Sequence, residues 1–280
     1  MAKKKRLFCE INPFCYALSL KKEIIKRHVK DLTSGEKFTK KGSAELLPVV
    51  LSSYRSHMIK RGPGIDPVLQ ENKVVNIKLA VSKINGIIIH PGEVFSFWRT
   101  VGKATKRRGY REGRVILKNK LIAGTGGGLC NLGNTIHLLV LHSPLDVTEF
   151  HSHSDALAPD EGKRVPFSAG TSVSYNNIDY RFKNNTDQDV QLLVWCEGDR
   201  MFAELRSERE FPYTYRLVEE DHCFRRYGEK YYRDSKIFRE ICDRQTGEVV
   251  EKQLILDNHS EVMFDYSLIP EDQIAQETVV

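Results

Sequence analysis

The chain has 280 residues, 40% of them hydrophobic and 29% charged, with 43 Lys and Arg against 37 Asp and Glu and a formal net charge of +6. That apolar share sustains a packed core and excludes a disordered or collagen-like chain. The mild basic excess attracts anionic partners such as cell-wall precursors, nucleotides or lipid headgroups without selecting one.

The chain opens MAKKKRLFCEINPFCYALSLKKE. Charges and Asn12-Pro13 break its apolar run well short of the ~18 residues a spanning helix needs, so neither a leader nor a transmembrane anchor is predicted. This segment reads first as a solvated tail and second as an interfacial helix making weak contact with a membrane surface. Residues 16–32 and 43–61 carry helical apolar spacing, the second through Leu46, Val49, Val50 and Tyr54. Residues 1–66 are therefore expected to form a basic helical region, closed by the RGPGIDP stretch at 61–67. After it, Asn72 is a candidate cap for a helix ending at Asn85-Gly86. Strands are expected at 87–89 and 94–98 around Pro91-Gly92, and at 114–117 and 121–123 around Lys118-Asn119-Lys120.

Next comes GTGGGLCNLGNTIHLLVLH at 124–142, followed by DVTEFHSHS at 146–154. Leu132, Ile136 and Leu139 give a helix one apolar face, and Gly126, Gly127 and Gly128 lead into its start. Cys130 then sits where unpaired backbone N–H groups and the positive end of the helix dipole favour a thiolate. His151 and His153, two apart, share a face if their segment is a strand, and either supplies a base beside the sulfur. The blander readings are a packed, inert cysteine and a surface pair of histidines. Asn131 and Asn134 are candidate substrate-orienting groups, with oxyanion donors coming from the glycine loop or the Cys130 N–H. Thr135 and Ser154 more often serve local backbone, and Trp98 and Tyr175 more often belong to a core. His137 and His142 read as structural or exposed, and Arg99, Arg107, Arg108 and Arg111 as a solvated basic face before they read as an anion site.

From residue 171 the pattern becomes β-rich. TSVSY and DYRF flank Asn176-Asn177, and VQLLVWC and MFAELRS flank Gly198-Asp199, as two hairpins. Further strands fall at 213–218, 237–242 and 249–255, before a loose acidic end. The expected class is α+β: N-terminal helices, a central helix carrying the GGGxC cysteine, and a mainly antiparallel sheet in the second half. The expected divisions are 1–66, a core at 67–208 and a β-rich extension at 209–280.

GGGLCNLGNTIHLL, the HSHS, INGIIIHPGEVFSFW at 84–98 and SVSYNNIDYRFKNNT at 172–186 together resemble the VanW family. The resemblance implies an accessory role in glycopeptide resistance and, as in some exported members, L,D-transpeptidase activity with the cysteine as nucleophile. Carried over, the nucleophile is Cys130 and the family's histidine is His153. Asn131 stands where many members have Gln, and Gly170 where many have an acid, which leaves the histidine to be oriented by Asp155, Asp160 or a carbonyl.

Three functions follow. The first is a Cys/His acyl transferase or amidohydrolase needing no cofactor and acting on a small or peptide-like substrate. The second is a zinc hydrolase with Cys130, His151 and His153 as ligands. The third is a non-catalytic binding module. Nucleic acid is not an expected partner, since no recognition motif or stacking platform is present. Cys9, Cys15, Cys130, Cys196, Cys223 and Cys242 follow no paired spacing, which predicts reduced thiols and a cytoplasmic address.

Overall fold

The computed structural model describes residues 7–40, 42–61, 65–117, 120–152, 155–156, 170–175 and 178–275. Its first helix, α1 (Pro13–Thr33), starts where Asn12 accepts the Cys15 N–H at 2.8 Å and Pro13 needs no partner for a missing donor. A short strand β1 (Lys37–Phe38) follows, and then β2 (Val49–His57). Strand β2 replaces the helix expected over 43–61. Its register on a later strand slips beside Leu51, so that one extra residue breaks the period of two and mimics helical spacing.

Helix α2 (Pro67–Ile84) begins earlier than Asn72, because Asp66 accepts the N–H groups of Val68 and Leu69 and Pro67 takes the first helical position. Asn72 does not cap; its side chain donates to the Glu112 carbonyl at 2.9 Å. Then come β3 (Ile87–Ile89) and β4 (Glu93–Ser96). The strand expected to reach 98 stops at Ser96, whose hydroxyl accepts the Arg99 N–H and opens the short helix α3 (Phe97–Val101). A two-stranded ribbon, β5 (Glu112–Leu117) and β6 (Lys120–Thr125), runs into α4 (Leu129–Leu141).

After α4 lie β7 (Asp146–Glu149), β8 (Asp155–Ala156), β9 (Arg181–Lys183), β10 (Val190–Glu197) and β11 (Arg200–Ser207). The histidine segment is not a continuous strand: β7 ends at Glu149, and Ser152 makes a single bridge to Thr171. The hairpin expected from TSVSY and DYRF is reduced to one bridge, Ser174 to Ile178, while β9 pairs with β4 and β7. The hairpin turning at Gly198-Asp199 is present, and Gly198 takes the left-handed φ of 57° that the turn requires. Asn176, Asn177, Lys118 and Asn119, the residues of two expected turns, lie outside the described residues.

The class is α+β. An antiparallel sheet ordered β2, β11, β10, β3 carries α2 and α4, and a second sheet ordered β1, β4, β9, β7 shares their core. Three long strands, β12 (Tyr213–Tyr227), β13 (Lys230–Asp243) and β14 (Val249–Val262), form a third sheet with β8 at its edge. Leu132, Ile136 and Leu139 of α4 are buried in the shared core, each contributing about 2 kcal/mol. This burial fixes the helix whose first turn holds Cys130.

Candidate functional site

The glycine run makes a ledge under the start of α4. Gly126 and Gly128 have φ of 82° and 95°, which side-chain-bearing residues rarely adopt. Gly127 is required for a different reason: a Cβ there would lie 2.2 Å from the Gly113 carbonyl carbon in β5. The N–H of Gly126 donates to the Arg111 carbonyl and that of Gly127 to the Gly124 carbonyl, so both are engaged in holding the loop. The donors left facing outward by helix geometry are those at the first turn of α4, including the N–H of Cys130 itself.

Asn76, fully buried on α2, holds the loop from below. Its Nδ2 donates to the carbonyls of Gly127 at 2.9 Å and Arg111 at 3.0 Å, and its Oδ1 accepts the Arg111 N–H at 2.7 Å. One turn earlier on the same helix, Lys73 lies across Gly128, with its Cγ 2.2 Å from where a Cβ would stand. Burial, with Lys60 and Arg114 nearby, pushes the Lys73 ammonium down to about 8, and its charge interacts with the Cys130 sulfur.

Cys130 is half-buried, and its thiol donates to the Val173 carbonyl at 3.7 Å. Burial pushes the thiol up, while backbone groups of Val173 and of Cys130 itself and the Lys73 charge pull the other way. Asn131 ties the helix start to β2: its Oδ1 accepts the Ser56 hydroxyl at 3.2 Å and its Nδ2 donates to the His57 carbonyl. Asn134 is buried and accepts both the N–H and the hydroxyl of Thr171 through one oxygen. Both asparagines thus position backbone around the cysteine.

His151 is placed in a separate charged cluster. Its Nε2 is 3.1 Å from Glu149 Oε1, and Arg27 of α1 grips Glu149 with two bonds of 2.5 and 2.6 Å. Burial acts to raise the Glu149 carboxyl, but Arg27 and His151 outweigh it and hold it below the usual range. The acid beside His151 is Glu149; of the acids expected to orient the family's histidine, the side chain of Asp155 and the whole of Asp160 lie outside the described residues. His153, Ser154 and Asp160 lie outside the described residues. The ionisable side chain placed against Cys130 among the described residues is Lys73. No group of three or more His, Cys, Asp or Glu is set to hold a metal among the described residues.

Several other sequence candidates hold the structure together. His137 is buried, stacked on Phe150 and bonded to the Tyr180 hydroxyl, and His142 binds the Leu138 carbonyl. Trp98 meets Tyr175 edge to face. Arg108 donates to the carbonyls of Val101 and Lys103, and Arg99 reaches Asp31 at 3.3 Å. The residues that sequence reading missed are Lys73 and Asn76. The signal for Asn76 was an amide next to Ile77 among the apolar positions of α2; Lys73 gave none, because a helical lysine reads as solvated.

Residues 72–206 match the model of VanW like protein. The chain is 28% identical over 231 residues to vancomycin B-type resistance protein VanW of Enterococcus faecalis, covering 82% of this chain and 83% of that one. The chain belongs to the VanW family. It is also 30% identical over 132 residues to the uncharacterized protein YoaR of Bacillus subtilis, covering 47% of this chain and 42% of that protein. No solved structure matches. The family match at residues 72–206 takes in Lys73, Asn76, the glycine ledge, Cys130 and His151, and leaves out α1 and the three long strands β12 to β14.

Proposed function

We propose that this VanW-family chain is a cysteine-dependent acyl transferase, L,D-transpeptidase-like or amidase-like, with Cys130 as nucleophile. The sulfur attacks the carbonyl carbon of a peptide-like amide, the thiol proton passes to a base, and the amine leaves protonated; a second amine or water then cleaves the thioester and restores the thiol. Lys73 is the proposed proton acceptor, since a lysine near 8 has a neutral fraction at working pH. His153 is the proposed imidazole that protonates the leaving amine, with His151 as the other histidine able to take that role. The oxyanion donor is the N–H of Cys130.

The observation that carries this reading is the ledge itself: two left-handed glycines, a third with no room for a Cβ, a buried Asn76 clamp and a lysine laid over Gly128, all converging beside one sulfur. The name of the Enterococcus faecalis relative, a resistance protein, supports a cell-wall precursor as substrate. Six unpaired thiols support a cytoplasmic address, and among the described residues no helix is long and apolar enough to cross a membrane.

The test uses an activated ester of an N-acetylated dipeptide as acyl donor. Intact-mass analysis is expected to show one acyl group on Cys130, released by hydroxylamine, and none on Cys130→Ala, whose melting temperature stays near that of the parent. Acylation that ignores the substitution removes the nucleophile assignment. The burial that raises the thiol favours a second reading, a non-catalytic binding module; an unacylated but folded parent protein would select it.

A further inference from the structure

Helix α1 docks by one side and leaves an apolar stripe on the other. Arg27 pairs with Glu149, and Asp31 is buried against Arg181 with bonds of 2.8 and 3.0 Å. On the outward side, Phe14, Leu18, Ile25, Val29 and Leu32 are 74%, 48%, 62%, 52% and 82% exposed. At 3.6 residues per turn these five fall within an arc of about 60°, roughly opposite the docked side. Lys21 and Lys22 fall at the two edges of this arc, and Lys26 and Lys30 follow further round. The helix has two acids, Glu23, paired with Lys26 at 3.1 Å, and Asp31, which is buried. The outward surface is therefore apolar along its centre and cationic at its margins.

We propose that α1 lies flat on an anionic lipid surface, with Phe14, Leu18, Ile25, Val29 and Leu32 entering the headgroup boundary and the lysines meeting lipid phosphates. The chemistry is that of an interfacial helix: buried apolar area supplies the attachment and lysines supply the preference for negative lipid. The stripe is flanked by Lys21 and Lys22, and no described helix is long and apolar enough to span, so the helix lies along a bilayer and not across it. A second copy of the chain is the poorer fit, because pairing two such stripes brings Lys21 and Lys22 against their own equivalents. In sequence, Lys3 to Arg6 adds four further cations just ahead. This inference is independent of the chemistry at Cys130.

The full chain is mixed with vesicles of phosphatidylcholine, with or without phosphatidylglycerol, and sedimented. Anionic vesicles are expected to bind it about tenfold more strongly at low salt, with the advantage lost as salt rises. Phe14→Ser with Ile25→Ser, both at exposed positions, is expected to weaken binding about tenfold or more without moving the melting temperature. Lys21→Gln with Lys22→Gln should remove most of the anionic preference. Equal binding to both vesicle types, or binding untouched by either pair of substitutions, overturns the proposal. A dimer in light scattering that Phe14→Ser with Ile25→Ser dissolves would overturn it too, by assigning the stripe to a second copy.

Discussion

Cys130 and Lys73 are an unequal pair: burial raises the thiol and depresses the ammonium, so each disfavours its own charged form and each is the other's compensation. Removing the lysine charge while keeping its stem over Gly128 isolates this coupling. Lys73→Met is expected to slow iodoacetamide labelling of Cys130 about threefold to tenfold near pH 7.5 and to move the rate profile to higher pH, because the thiolate loses the cation that favours it. Lys73→Arg should keep the charge and restore most of the rate. Profiles that coincide for parent and Lys73→Met would remove the lysine from the site. The cysteine and its glycines were legible because they are contiguous. Lys73 and Asn76 reach the same place from a helix more than fifty positions upstream, and a linear pattern carries no sign of that approach.

Among the elements, α4 was legible because its apolar face and its glycine entry agree, and the Gly198 hairpin because an apolar run and an alternating run flank a turn dipeptide. Strand β2 was not, since one bulged residue at Leu51 converts an alternating pattern into a helical one. The clamp between α2 and the loop makes a prediction at this scale. Asn76→Ala leaves the Gly127 carbonyl and the Arg111 groups without their buried partner and is expected to cost about 3 kcal/mol in chemical denaturation. The attachment of α1 makes another. Burial acts to raise the Asp31 carboxyl, but bonds from Arg181 and Arg99 outweigh it and hold it low. Asp31→Ala takes two bonds from the buried Arg181 guanidinium, which keeps its bond to Asp179, and should cost roughly 1 to 3 kcal/mol. Hydrogen exchange is expected to speed up over α1 first; unchanged exchange there would show that the pair does not secure the helix.

For the molecule as a whole, two sheets and the helices α2, α3 and α4 share one core, and His137 stands within it as a histidine pushed down to about 3 by burial. Its folded value lies below the 6.5 of an exposed imidazole, so the unfolded chain takes up a proton first. Its contribution is complete above about pH 6.5 and is lost as pH falls toward 3. Melting temperature is expected to drop over that window, and His137→Gln should flatten the drop by a part worth on the order of a few kcal/mol. Superimposable pH profiles would assign the acid sensitivity elsewhere. The class and the β-rich second half were readable from composition and alternation. The length of β12 to β14 was not, because their half-exposed faces mix charge with apolar residues and blur the alternation that marks a strand.

Where Gly127 meets Gly113, two bare stretches of main chain abut with no side chain to act as a cushion. The ribbon of β5 and β6 and the shelf bearing the sulfur are consequently a single stiff lever. A displacement of that ribbon is expected to reach the Cys130 shelf through main chain alone.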